Sequence, residues 1–220
     1  ELRTPLEKSY RNTVYCSGLL VQDKDGKLRG MFCGNRWCLV CSRVRSARGI
    51  NRYIPVISTW SDPQFVTLTL PNVQAANLDA TITQMLRDIV AIGRAIKRTD
   101  RTAVLALRKL ECTYNAQVGS YHPHFHLVVK GRPAAEAIVR RWLSRHPDAS
   151  PSAQDIRPCD LNSMKEMFKY FTKLLTKDSG AGTRRSVAPL HALDVIFTAM
   201  KGKRVFQPMG FKVSVTPDQD

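Results

Sequence analysis

The sequence predicts an α+β domain in which helices pack on a central antiparallel sheet, with a small cysteine-bearing subdomain at the N-terminal end. Three observations carry this expectation. Two runs of alternating residues flank the loop "NAQVGS", as in an antiparallel hairpin. Segments with apolar residues every three or four positions follow the strand-like runs, as in helices that cover a sheet. Three of the six cysteines crowd into "CGNRWCLVC".

The elements follow in chain order. Asp25-Gly26 is a tight-turn dipeptide that brings Cys16 and Cys33 together. A basic run from Arg43 to Arg52 comes next. In "QFVTLTLPN", Phe65, Thr67 and Thr69 alternate with Val66, Leu68 and Leu70, and the strand stops at Pro71-Asn72. Leu78, Ile82, Met85, Ile89, Ile92 and Ile96 form one stripe of a helix over 78–97, with Asn77 as its N-cap. The strand "TAVLALRKLECTY" returns through "YHPHFHLVV" to Val129. Gly131-Arg132-Pro133 opens a helix reaching about His146, and another helix spans Leu161 to about Lys177. "KDSGAGTRRS" is a flexible loop and "RVFQPMGFKVSV" a late strand. This order divides the chain into an N-terminal unit, residues 1–52, and a larger unit, residues 53–220.

Composition narrows the function. A 43% hydrophobic chain can bury a core. The net charge of +16 comes from 34 Lys and Arg against 18 Asp and Glu, spread along the length, which points to a polyanionic partner such as nucleic acid. No apolar run is long enough to span a bilayer, and no segment joins a basic face to Trp or Phe anchors, so a membrane role is not expected. The chain begins with Glu and carries no signal-peptide pattern, as expected for a fragment of a longer, non-exported protein.

In such a protein, clustered cysteines argue for metal rather than disulfides. Cys38-x-x-Cys41 is a knuckle able to set two thiolates about 2.3 Å from one zinc, with Cys33 and Cys16 completing a four-cysteine structural site. Cys112 and Cys159 stand apart and are expected to be buried as small apolar residues.

Three of the five histidines, His122, His124 and His126, alternate within one strand. Alternate residues face one side, so the three imidazoles project together while Phe125 and Leu127 face the other way. Folding about Gln117 and Val118 sets Glu111 opposite His124, within reach of the imidazoles. Mixed imidazole and carboxylate donors suit Mn²⁺ or, with waters, Mg²⁺. The third donor, beside His124 and His126, is Glu111 or His122.

On the helix from Leu161, the side opposite the apolar stripe carries Asn162, Glu166, Tyr170, Lys173 and Lys177. Glu166 lies one turn before Tyr170 and Lys173 one turn after it, so acid, phenol and ammonium share a face. A nearby ammonium and a metal ion favour the phenolate, as covalent catalysis on phosphate requires.

Together "FVTLTLPN", "HPHFHLVV" and "YFTK" resemble, in order and approximate spacing, the three motifs of HUH endonucleases, and "CGNRWCLVC" resembles the cysteine cluster of plasmid rolling-circle replication initiators. The resemblance runs from about Cys33 to Lys173. His124-Phe125-His126 matches the two-histidine motif, Tyr170-x-x-Lys173 the single-tyrosine motif, and Glu166 a glutamate that one branch carries four residues before the tyrosine. Leu39 stands where a proline is expected.

The resemblance implies an HUH fold and a metal-dependent, sequence-specific single-stranded DNA nickase acting at a plasmid origin in the bacterial cytoplasm. Tyr170 would form a 5′-phosphotyrosyl link, Lys173 would balance charge, and Glu166 would be the base for a terminating hydrolysis. A host helicase is a further implied partner. Arg36, Arg43, Arg45 and Arg48, beside the cysteines, are the candidate contacts to duplex or hairpin DNA. Two rival readings are a single-strand HUH transposase, which usually lacks the cysteine cluster, and a non-catalytic zinc-stabilised DNA-binding protein in which Tyr170 stacks on a base.

Overall fold

The computed structural model describes residues 3–101, 103–168, 175–177, 185–187 and 189–213. Among the described residues the chain runs α1 (Glu7–Val14), β1 (Leu20–Gln22), β2 (Leu28–Gly30), α2 (Leu39–Ile57), β3 (Pro63–Thr69), α3 (Ala75–Asp100), β4 (Ala106–Asn115), β5 (Ser120–Lys130) and α4 (Arg132–Arg145). It continues through β6 (Asp155–Pro158), α5 (Leu161–Phe168), β7 (Leu175–Lys177), β8 (Arg185–Val187), α6 (Leu190–Met200) and β9 (Phe206–Met209). The expected α+β architecture is present: five antiparallel strands form one sheet, ordered β6-β3-β5-β4-β9.

Strand alternation divides the sheet into two faces. Val66, Leu68, Leu110, Phe125 and Leu127 point to one face and pack with Ile82, Ile89, Ile138, Trp142 and Ile196 of α3, α4 and α6. Phe65, Leu107 and Val128 point to the other and pack with Tyr53 and Ile57 of α2 and with Met167 and Phe168 of α5. Burying each such side chain contributes roughly 1.5–3 kcal/mol, so the two layers define which way every strand residue faces. A slip of one residue would carry Phe125 and Leu127 to the wrong layer.

The β4–β5 hairpin has the register expected from its loop: Glu111 pairs with His124, Lys109 with His126 and Thr113 with His122. The turn is allowed by Gly119 at φ 61°. The β1–β2 hairpin likewise turns through Gly26 at φ 78°, as its Asp-Gly dipeptide indicates.

Four expectations need correction. The stripe helix starts earlier, with Gln74 as its extended cap residue, and Asn77 lies in the first turn, its N–H donating to the Gln74 carbonyl at 3.0 Å. The helix from Leu161 does not reach Lys177, because Leu175–Lys177 pairs antiparallel with Arg185–Val187. That pairing also places both ends of the expected flexible loop in strands. Backbone pairing with a neighbouring segment overrides a helical spacing that only a few apolar residues support. The late strand is shorter than expected, covering Phe206–Met209 and ending at Gly210 with φ 74°.

Helices α1, α2 and α6 and strand β6 are additional elements. In α2 the periodic signal is diluted by arginines, and few of its residues, Tyr53 and Ile57 among them, are buried. This helix runs unbroken from the cysteine cluster into the core beside the sheet.

Candidate metal centres

The α2/α5 face of the sheet carries parallel rows of side chains. Register places Thr67, His126 and Lys109 side by side, and Thr69, His124 and Glu111 in the next row. Glu111, His124 and His126 converge there, with donor atoms all within 4.8 Å of one another. Glu111 Oε2 lies 3.4 Å from His124 Nε2 and 3.6 Å from His126 Nε2. His122 is not part of this group: its Nδ1 is 2.9 Å from Asn72 Oδ1, and its ring stacks on His124 with centroids 5.2 Å apart. The geometry therefore favours Glu111 over His122 as the third donor.

Both imidazoles are oriented from behind. His124 Nδ1 lies 3.0 Å from the His122 carbonyl, which only accepts, so Nδ1 carries the proton and Nε2 presents its lone pair. His126 Nδ1 lies 3.2 Å from Thr67 Oγ1. Such partners fix the direction of metal-ligating imidazoles. Burial pulls the His126 pKa down against the opposing pull of Glu111, which keeps the ring neutral at physiological pH. Burial pushes the Glu111 carboxyl up, but the facing His124 and His126 rings and the Lys109 ammonium overcome it and hold the group well below the usual carboxylate range. A carboxylate and two imidazoles on a rigid sheet could hold a Mn²⁺- or Mg²⁺-type ion, with open positions for water or phosphate oxygens.

Lys109 has no solvent exposure and forms an ion pair with Glu111 on the metal face. Its Nζ also donates to the backbone carbonyl of Glu166 at 3.0 Å, joining the sheet to α5. Behind it Phe206 stacks on Phe168 with centroids 5.6 Å apart. Helix α5 is thus seated on the same sheet face as the triad. Glu166 is partly buried, while Tyr170 and Lys173 lie outside the described residues.

The second cluster joins Cys16, Cys33, Cys38 and Cys41, whose sulfurs also lie within 4.8 Å of one another. Cys41 Sγ is 3.5 Å from Cys16 Sγ and 3.6 Å from Cys33 Sγ. Four thiolates at about 2.3 Å from a tetrahedral ion stand roughly 3.8 Å apart, close to this spacing. Burial and the neighbouring sulfurs push the Cys41 thiol up to about 12. Four sulfurs at this spacing match a tetrahedral thiolate shell, so the donor set fits structural zinc. Cys112 is buried as expected, whereas Cys159 is only partly buried.

The arginines near this cluster separate into two kinds. Arg43, Arg45 and Arg48 are exposed on α2. Arg36 is half-buried, and its guanidinium donates to the carbonyls of Met200 and Lys203, tying the knuckle to the end of α6. Sequence reasoning missed Lys109 and Thr67. Lys109 had a signal, because it shares strand parity with Glu111 in an otherwise apolar strand. Thr67 emerges only from the β3–β5 register.

The family described as Replication protein matches residues 27–133, a span that takes in Cys33, Cys38, Cys41, Glu111, His124 and His126. Over that span, just under half of its length, the chain is similar to the replication protein family. It is similar to a protein named Protein rep from Streptococcus pneumoniae serotype 2 (strain D39 / NCTC 7466), 30% identical over 139 residues, covering 56% of this chain and 43% of that protein. A Protein rep from Staphylococcus aureus is 33% identical over 120 residues, 51% of each chain, and one from Bacillus sp is 30% identical over 138 residues, 57% of this chain and 44% of its own. The chain thus spans about half the length of the curated relatives it matches. No solved structure matches it significantly. Among the described residues no helix is long and apolar enough to cross a membrane.

Proposed function

We propose that this chain is the DNA-nicking part of a plasmid rolling-circle replication initiator, built on an HUH-type site. The observation that carries the reading is the convergence of Glu111, His124 and His126 on the sheet face that also seats α5. A bound Mn²⁺ or Mg²⁺ would polarise the scissile phosphate and hold it in line. Tyr170 Oη loses its proton to water and attacks the phosphorus, the bond from phosphorus to the 3′-oxygen breaks, and that oxygen takes a proton from water to leave as a hydroxyl able to prime synthesis. The DNA 5′ end remains on the protein as a phosphotyrosyl ester. Lys173 stabilises the phenolate, and Glu166 later takes a proton from a water whose oxygen attacks phosphorus and releases Tyr170.

Residues 1–52 serve as a zinc-stabilised subdomain that, with Arg43, Arg45 and Arg48, contacts origin DNA, and residues 53–220 form the catalytic domain. The similarity of residues 27–133 to the replication protein family and the charge of +16 support a DNA partner.

The test is a denaturing gel of labelled single-stranded origin DNA incubated with the protein and Mn²⁺. A retarded, protease-sensitive band is expected with the native chain and none with Tyr170→Phe. Absence of the band from the native chain, or its persistence in Tyr170→Phe, would reject the reading. Glu166→Gln should still form the adduct and accumulate it, because its carboxylate enters only at the water step.

A further inference from the structure

On the opposite face of the sheet, a groove of about 610 Å³ opens between α3, β9 and residues 103–104. Four cations line it: Arg94 and Lys97 from α3, Arg108 from β4 and Arg204 from the approach to β9. No Asp or Glu lines it, and among the described residues none of the four makes an ion pair. The innermost is Arg108, only 3% exposed. Its Nη2 donates to the Arg204 carbonyl at 3.1 Å and its guanidinium carbon sits 5.0 Å from the Phe125 ring centroid, but its buried Nη1 has no hydrogen-bond partner. Burial lowers its pKa to about 10, which leaves it charged at neutral pH.

A buried guanidinium without a carboxylate is costly unless something anionic completes it. Apart from Gln207, the rest of the lining is apolar, with Ile89, Val90, Val104 and Met209 among its walls. Gly93 helps to keep it open, since a Cβ there would meet Met209 Cε at 3.2 Å. The required ligand therefore combines a compact, multiply charged anion with a flat or apolar body. A phosphate group can accept from the flanking cations and, once the Arg108 side chain turns outward, from its Nη1 as well, where a single carboxylate has two oxygens and one charge. The volume also falls within the range of about 300–1,000 Å³ typical of small-ligand sites.

We propose that this groove binds a nucleoside phosphate, with the phosphate on Arg108 between Lys97 and Arg204 and the base and sugar against Ile89, Val90, Val104 and Met209. The nucleotide is either an unpaired unit of the DNA strand or a free mononucleotide. The site lies across the sheet from the metal triad, so its occupancy is tested without reference to cleavage.

Backbone and methyl NMR shifts of Ile89, Val90, Gly93, Val104 and Met209 would be followed in the full chain at low salt. The probes are thymidine, thymidine 5′-monophosphate, a 5′-phosphorylated oligothymidylate and a Glu/Leu peptide of matched charge. Saturable shifts from a phosphate-bearing probe and none from thymidine are expected. Shifts from the oligomer alone assign the site to a DNA strand, and tighter binding of the monophosphate assigns it to a free nucleotide. The exposed double variant Arg94→Ala/Lys97→Ala should weaken binding by about tenfold, the scale of one charge-assisted hydrogen bond. Val90→Trp, which fills the groove from its exposed rim, should remove binding and guards against a variant that merely misfolds. Absence of shifts from both phosphate probes, equal response to thymidine or the peptide, or unchanged affinity in both variants would overturn the proposal.

Discussion

Lys109 and Glu111, two residues apart on β4, form an ion pair between side chains that are 0% and 4% exposed. Their placement on one face follows from strand parity, and their burial follows from the packing of α5 across that face. Removing one partner leaves a desolvated charge behind, which typically costs about 3–5 kcal/mol. Lys109→Met is therefore expected to lower unfolding stability by that order in denaturant titrations without added metal. Adding Glu111→Gln should recover part of the loss. A single variant as stable as the native chain would show that the pair is not closed to solvent.

The triad donors can be separated from the basic surface proposed to bind DNA. His124→Ala/His126→Ala should abolish Mn²⁺-dependent cleavage and tight Mn²⁺ binding by calorimetry, while affinity for single-stranded DNA stays largely unchanged and falls steeply with salt, because that affinity comes from the basic surface. Full cleavage by the double variant would remove the triad from the chemistry.

Elemental analysis of protein purified without chelator should find about one zinc per chain. Cys38→Ser/Cys41→Ser should lose it and lower the melting temperature. Because α2 begins at this cluster and ends in the core with Tyr53 and Ile57, the loss should propagate into the α2/α5 layer rather than stay in the β1–β2 hairpin. Zinc-free native protein of unchanged stability would refute the assignment.

His146 supplies a pH effect independent of either metal centre. Burial lowers its pKa despite the pull of Asp88 and Asp148, and its ring packs 4.2 Å from that of Trp142. The unfolded chain therefore binds a proton more readily than the folded one, so stability contributed by the neutral ring is present above the ordinary histidine value of about 6.5 and is lost as pH falls below it. His146→Gln should flatten the stability profile in that window. An unchanged slope would place the titration elsewhere.

Local spacing in the sequence was sufficient for the β4–β5 hairpin, the pairing of Glu111 with His124, the α3 stripe and the cysteine cluster, because each depends on strand parity, helical period or a short turn between near neighbours. His122 and Glu111 could not be told apart from the sequence, since both satisfy the same parity; the distinction came from side-chain partners, with Asn72 drawing His122 aside while His124 and His126 point Nε2 toward Glu111. Lys109 became a buried partner of Glu111 only once α5 covered it. Leu175–Lys177 became a strand through pairing with Arg185–Val187. Arg36, which reads as a surface cation beside the cysteines, was claimed by carbonyls about 165 residues away. Periodicity decides which face of its own element a residue occupies; the charges, carbonyls and strands that it meets are brought there by packing and pairing with other segments, and the spacing within one element carries no record of them.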